Sequence, residues 1–241
     1  TNDDGVLAPG LSAMYRALAD LGTISVAAPD SVQSAMGHAI TVGEAIEVRR
    51  VHVNQEFHGW SVGGRPADCV KLAAAELLES PPDLVVSGIN DGANVSINVL
   101  YSGTVAAAAE GAILGFPAVA VSLHRGIEPD FARAADIARR IIDTLLEDDL
   151  ACGELVNINI PHLKPGYPKG VRVAVQAIEV MEDRYHRSEH PGGVQQFVLH
   201  GDFGEIRSGR ETDLHALLEG YVVVTPLHVD LTDRSRLERL K

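Results

Sequence analysis

The chain has 241 residues, 46% of them hydrophobic and 22% charged, enough to bury the core of one large domain or two small ones. Its 33 acidic residues outnumber 20 basic ones for a formal net charge of -13, which excludes a general binder of nucleic acid or of anionic membrane, because such polyanions are met with lysine and arginine. Cys69 and Cys152 form neither a disulfide framework nor a zinc spacing, and no apolar run nears the ~20 residues of a spanning helix, so a reducing, cytoplasmic location is expected.

The first five residues, TNDDG, set the carboxylates of Asp3 and Asp4 side by side between Asn2 and Gly5. Such a pair is either a solvated turn or half of a metal site. From Pro9, PGLSAMYRALADLG spaces Leu11, Met14, Tyr15 and Leu18 at helical intervals, with Pro9 near the start and Gly22 past the end. TISVAAPD (23–30) is a short apolar run closed by Pro29 and Asp30, the pattern of a buried strand. Residues 39–62 alternate around Ile46, Val48, Val51 and Val53, as strands with one wet face do. PADCVKLAAAELLES (66–80) predicts a helix, DLVVSGIN (83–90) a strand, GTVAAAAEGAILG (103–115) a helix of small residues and PAVAVSL (117–123) a strand; a helix over 129–147 and the strand LVNINI (155–160) follow.

Strands separated by helices of this length predict right-handed crossovers and a mostly parallel sheet flanked by helices, a Rossmann-like α/β core over residues 1–160. Beyond Pro161 the texture changes. HLKPGYPKG is a loop, GVRVAVQAIEVM and GGVQQFVLHGDFGEIR read as strands, TDLHALLEG as a short helix and GYVVVTPLHVD as a returning strand. Residues 161–241 are therefore expected as a β-rich second region at the rim, serving assembly rather than the central sheet.

In open parallel sheets ligands bind beyond the carboxyl ends of the strands. The segments falling there are TNDDG, APDSVQSAMGH and GINDGANVSINVLYSGT, all rich in glycine and small oxygen-bearing residues. A hard divalent cation takes oxygen ligands, one or two carboxylates with neutral oxygens and water. Asp3, Asp4, the Ser34 hydroxyl and the Asn90 amide oxygen supply such a set, and Gly5 lets the backbone turn beneath the acids. Ser102, Gly103 and Thr104 open the small-residue helix and form a phosphate cradle by physics, although serine and threonine are equally the preferred helix caps. GINDGAN can likewise be only a tight turn.

TNDDG, the Ala28–His38 stretch APDSVQSAMGH, GRPADCVKLA, SGINDGAN and LYSGTVAAAAEGA, in this order and spacing, resemble the SurE family of stationary-phase survival phosphatases, the 5'/3'-nucleotidases. NINIP and GYVVVTPLHVDLT are similar to that family's C-terminal half. The resemblance implies hydrolysis of nucleoside monophosphates with one Mg2+ or Mn2+ per subunit held by Asp3, Asp4, Ser34 and Asn90, the set reached above from ligand chemistry. It implies Asn94, Ser102, Gly103 and Thr104 as substrate-phosphate contacts, and a homodimer or homotetramer built by an exchanged C-terminal arm. Asp3 and Asp4 are the expected catalytic residues, one of them positioning the attacking water, with a nucleophile or a general base as the alternatives. The chain departs from the family in lacking the apolar strand that precedes TNDDG, which we read as trimming at that end. Arg65, Ser96 and Asn98 also depart, at the rim of the cleft.

Other residues receive plainer readings. His38 is a proton carrier or, more simply, a structural hydrogen-bonding group; Asp68 is a capping residue; Lys71 a solvated edge; and Glu110 a buried hydrogen-bond anchor on its alanine-rich helix. An aspartyl-phosphate phosphatase would show DxD rather than DD, and no GxGxxG follows a first strand, nor is there a Walker lysine. The alternative to an enzyme is a non-catalytic nucleotide-binding or regulatory module.

Overall fold

The computed structural model of the chain describes residues 1–53, 56–126, 128–178, 182–190, 194–202 and 211–241. The amphipathic run after Pro9 forms α1 (Pro9–Leu18), and the apolar VAAP forms β1 (Val26–Pro29), all four residues buried. The alternating stretch becomes β2 (Val48–Val53) and β3 (Phe57–Val62); α2 (Pro66–Leu72) starts at its proline and continues as one π-helical turn to Leu77. Then come β4 (Val85–Asp91), a 3-10 turn at Ser96–Leu100, α3 (Gly103–Ile113), β5 (Ala118–Leu123), α4 (Phe131–Glu147) and β6 (Leu155–Ile160). The remainder holds β7 (Val171–Val173), β8 (Glu182–His190), β9 (Val194–Asp202), α5 (Asp213–Leu218), β10 (Val222–Leu227) and α6 (Arg234–Leu240).

The main sheet has the order β4-β5-β6-β10-β7, and a smaller one the order β1-β3-β2. β4, β5 and β6 run parallel, as do β1 and β3, which is the predicted α/β architecture. The N-terminal residues lie between the two sheets and join them: Gly88 N–H donates to the Thr1 carbonyl at 2.9 Å, and Val6 N–H to the Pro29 carbonyl at 2.8 Å.

Each face of the main sheet has its own core. On one, Met14 and Leu18 of α1 and Ala138 and Ile142 of α4 pack on Val121 and Ile158. On the other, Val105, Ala108 and Ala112 of α3 pack with Val70 on Ala118, Ala120 and Leu155. The alanines of α3 let it lie close to the strands, which brings its N-terminus to the carboxyl edge of the sheet.

The tail is less peripheral than expected. β10 pairs antiparallel with β6 and parallel with β7, so the region after Pro161 completes the central sheet. The physical reason is in VVVT, whose four side chains are all buried and need a sheet covered on both sides. β8 and β9 pair antiparallel as a two-stranded sheet of their own, in the part of the chain where the arm is expected. The strand expected over GVRVAVQAIEVM is formed only at 171–173, with an isolated bridge from Val175 to Thr212; residues 179–181 and the GEIR end of the next expected strand lie outside the described residues.

Candidate active site

Asp3 and Asp4 sit at the end of the joining segment, where Gly5 adopts φ +98° and turns the chain away into α1. Asp3 is 4% exposed and faces the first turn of α3, where the Thr104 hydroxyl donates to its Oδ1. Burial pushes the Asp3 carboxyl up to about 6, against the pull of hydrogen bonds from Thr104 and with a further push from Asp4. The Asp4 carboxyl is raised as well, first by burial; the Asp91 N–H and Arg125 pull it back, while the Asp91 charge pushes it up.

Among the described residues, neither acid is ion-paired to a lysine, arginine or histidine. Arg125, which Asp4 feels, is itself bound to Asp91, through the Asp91 carbonyl at 3.0 Å and its Oδ1 at 3.5 Å. A buried acid beside a half-buried one, held together without a cation, is costly as a pair of anions. They fit a divalent cation. Among the described residues no three His, Cys, Asp or Glu side chains gather at one point, so any further donors there would be neutral oxygens.

The two neutral residues expected beside the acids, Ser34 on the loop after β1 and Asn90 at the end of β4, each neighbour a residue bonded to one of the acids. Gln33 N–H donates to the Asp3 carbonyl at 2.8 Å, which sets Ser34 one residue away. Asp91 N–H donates to Asp4 Oδ2 at 3.2 Å, which does the same for Asn90. A register shift in β4 between Ser87 and Asn90 re-aims the strand end at this point, and Asn90 Nδ2 donates to the Gly92 carbonyl at 2.7 Å.

The Ser34 loop is latched along its length. Arg65 donates to Gln33 Oε1 at 2.8 Å, Gly37 N–H to the Tyr101 carbonyl at 2.9 Å, and Thr41 N–H to Asp68 Oδ1 at 2.9 Å. Asp68 also accepts the Arg65 N–H at 2.8 Å, the capping role read from its position at the head of α2. Glu110, 5% exposed at its side chain, holds His38 at 2.8 Å and Lys71 at 2.5 Å. Burial works to raise the Glu110 carboxyl, but those two partners outweigh it and hold it below the usual range. Glu110 is thus the buried anchor that was expected, and His38 its hydrogen-bonded partner. Lys71 is not a purely solvated edge, because its ammonium is drawn onto that anchor.

The expected phosphate contacts have several duties in the fold. Ser102 is the N-cap of α3, its Oγ accepting Val105 N–H at 3.1 Å. Thr104 is fully buried, with its hydroxyl on Asp3. Gly103 is where α3 touches the acids: a Cβ there would lie 2.8 Å from Asp3 Cβ and 3.0 Å from Asp3 Oδ2. Asn94 is 7% exposed and uses one amide hydrogen on Ser122 Oγ at 2.8 Å.

Sequence reading passed over Asp91, Arg125, Ser122, Asn157 and Asn159. Arg125 carried no signal. The two asparagines did, standing at alternate positions of an otherwise apolar strand whose six residues are all buried, where polar side chains need partners.

The model of the family "Survival protein SurE" matches residues 1–183. The chain is 42% identical over 240 residues to 5'-nucleotidase SurE of Syntrophobacter fumaroxidans, covering 100% of this chain and 96% of that one. It is 44% identical over 246 residues to 5'-nucleotidase SurE of Desulforudis audaxviator, covering 100% and 95%. The crystal structure of the SurE protein from Aquifex aeolicus superposes with a TM-score of 0.85 at 36% identity, over 100% of this chain and 96% of that chain. With a motif series, a fold and full-length relatives in agreement, the chain belongs to the SurE family.

Proposed function

We propose that this protein is a metal-dependent phosphomonoesterase that converts nucleoside 5'-monophosphates, and 3'-monophosphates as a second class, to nucleoside and phosphate. The observation that carries the reading is the unpaired acid couple, Asp3 with Asp4, set on the first turn of α3 and bonded to the residues beside Ser34 and Asn90. The relatives that bear the name 5'-nucleotidase over the full length of the chain support turnover rather than a non-catalytic binding module.

Asp3, Asp4, Ser34 and Asn90 would hold the cation, Mg2+ or Mn2+, one per subunit. When bound, such a cation supplies positive charge to the phosphoryl oxygens and acidifies water. This chain's own residues do the rest. The start of α3 orients the phosphoryl group by the Gly103 N–H, the Ser102 O–H and the helix dipole, the Ser102 N–H being spent on the Asn98 carbonyl at 3.0 Å. Asn94 offers its second amide hydrogen to a phosphoryl oxygen. Thr104 holds the Asp3 carboxylate in place, and Asp4, with Oδ2 on the Asp91 N–H, keeps Oδ1 to orient the attacking water in line with the ester oxygen. Arg125, exposed at the rim beside Asp91, adds a cation for an incoming dianion in a chain that is otherwise acidic.

The assembly follows the same reading. The β8–β9 hairpin exposes Tyr185, Phe197, Val198 and Leu199, and a two-stranded hairpin needs further packing for stability. A second copy that exchanges this arm makes a homodimer, or two such pairs a homotetramer. Among the described residues no helix is long and apolar enough to cross a membrane.

The test is phosphate release from a panel of 5'- and 3'-nucleotides with Mg2+ or Mn2+, for wild type and Asp4→Asn. Release that needs the cation and falls by more than about a hundredfold in the variant supports the reading. Nucleotide binding without release in the wild type would replace it with the binding-module alternative.

A further inference from the structure

Asn90 stands at the end of β4 and Asn94 on the loop that follows, whose backbone has to be held by something. The last bond to the sheet is Gly92 N–H to the Leu123 carbonyl of β5 at 2.9 Å. At Asn94 the bonds come instead from side chains. Asn94 N–H donates to Asn159 Oδ1 at 2.8 Å, and the Asn94 carbonyl accepts from Asn157 Nδ2 at 2.8 Å and from Asn159 Nδ2 at 3.1 Å. Asn157, Asn159 and Ser122 are fully buried on the β5–β6 pair, and Ser122 and Asn159 are direct neighbours in its register.

A carboxamide has an acceptor and a donor in one plane, the same pair of groups as a peptide unit. By bonding both the N–H and the C=O of Asn94, Asn159 takes the place of a neighbouring strand at a position where the sheet has ended. Asn157 doubles the donor. The α3 face of β6 otherwise carries Leu155 in the apolar core, so the two asparagines mark where that face turns from packing to holding the loop.

From these contacts we infer that Asn159, assisted by Asn157, is a positioning residue: it fixes the Asn94 peptide units and through them the Asn90–Asn94 turn that meets cation and phosphate. The inference rests on the phosphomonoesterase reading above, and extends it from the residues that touch substrate to the strand that aims them. The far side of the loop has its own attachment, Ser96 N–H to Asp213 Oδ2 at 3.0 Å, so Asn159 acts on the near half, where the site is.

The experiment compares wild type, Asn159→Ala and Asn159→Asp by Mn2+ affinity without substrate, by kcat and KM for a nucleoside 5'-monophosphate, and by thermal melting. Misaiming a turn by a fraction of an ångström predicts for Asn159→Ala a Kd for Mn2+ about tenfold weaker and a kcat about a hundredfold lower, with KM within about threefold. Asn159→Asp keeps the acceptor for Asn94 N–H and loses the donor, and falls between the two. A purely structural role would lower the melting temperature and leave Kd and kcat per folded molecule unchanged, which overturns the inference. Should Asn159→Ala fail to fold, Asn159→Asp decides: Kd and kcat within about twofold of wild type overturn it. If the wild type binds Mn2+ and hydrolyses no nucleotide, the phosphomonoesterase reading fails, while the Mn2+ comparison still judges the clamp.

Discussion

Asp3→Asn should make the metal-free protein more stable while abolishing its activity. The substitution keeps Oδ1 as acceptor for the Thr104 hydroxyl and removes a buried negative charge. In the fold the Asp3 carboxyl titrates at about 6 instead of 3.8, because burial disfavours its ionised form. The native state therefore holds this proton more tightly than the unfolded chain does. Its stabilising effect is fully present below pH 3.8 and is lost as the pH rises through about 6. At about 1.4 kcal/mol per pH unit, ionised Asp3 costs the metal-free fold about 3 kcal/mol at pH 7.5. Burying an amide takes back part of the gain, leaving about 1–3 kcal/mol in favour of the variant. Urea unfolding in the presence of a chelator at pH 7.5 and pH 4.0 reads the difference, which should nearly vanish at the lower pH. Saturating Mn2+ should reverse the order at pH 7.5, since a cation at a thousand times its Kd adds about 4.1 kcal/mol to the protein that binds it. A variant less stable than wild type at pH 7.5 without metal, or equally shifted at both pH values, would refute the account of Asp3 as a burial-strained acid awaiting a cation.

Gly103→Ala puts a methyl group 2.8 Å from Asp3 Cβ and 3.0 Å from Pro66 Cγ. At an ordinary helical position the change would stabilise; here overpacking of about 1–3 kcal/mol is expected in urea melts, with a loss of kcat disproportionate to it because the displaced group is Asp3. Glu110→Ala strips Lys71 and His38 of their shared partner. Both are partly exposed and recover water, so the expected cost is about 1–2 kcal/mol, together with faster proteolysis of the His38 loop. Since the Glu110 carboxyl is held below its usual 4.5, that contribution is present above pH 4.5 and disappears as the pH falls through the lowered value. A gap between wild type and variant that widens in acid would contradict it.

Periodicity and punctuation made the α/β core readable, because they report local physics. Pro9 and Pro66 stand at the first residues of α1 and α2, and LVNINI is β6 to the residue. The misread part was the tail, where VVVT was placed at the rim although its even burial puts it inside the main sheet. A short apolar run states that both its faces are covered; it does not state by which neighbours. The 3-10 turn at Ser96–Leu100, where Ser96 takes φ +56°, and the final helix α6 were likewise unread. The first depends on contacts from distant Asp213 and Gln176, which local propensity does not contain.

Residue chemistry by itself pointed to the oxygen-rich donor set proposed for the cation, Asp3, Asp4, Ser34 and Asn90, since a hard cation takes carboxylates with neutral oxygens. It also narrowed the site to the carboxyl edge of a parallel sheet. Only the tertiary structure decided what each small polar residue is engaged in: Thr104 on Asp3, Ser102 on its own helix, Asn94 on Ser122 and two buried asparagines. A hydroxyl or an amide has several possible partners, and which one it takes is set by what the fold carries within about 3 Å of it, as with Thr104 and Asp3, which are 101 residues apart in the sequence.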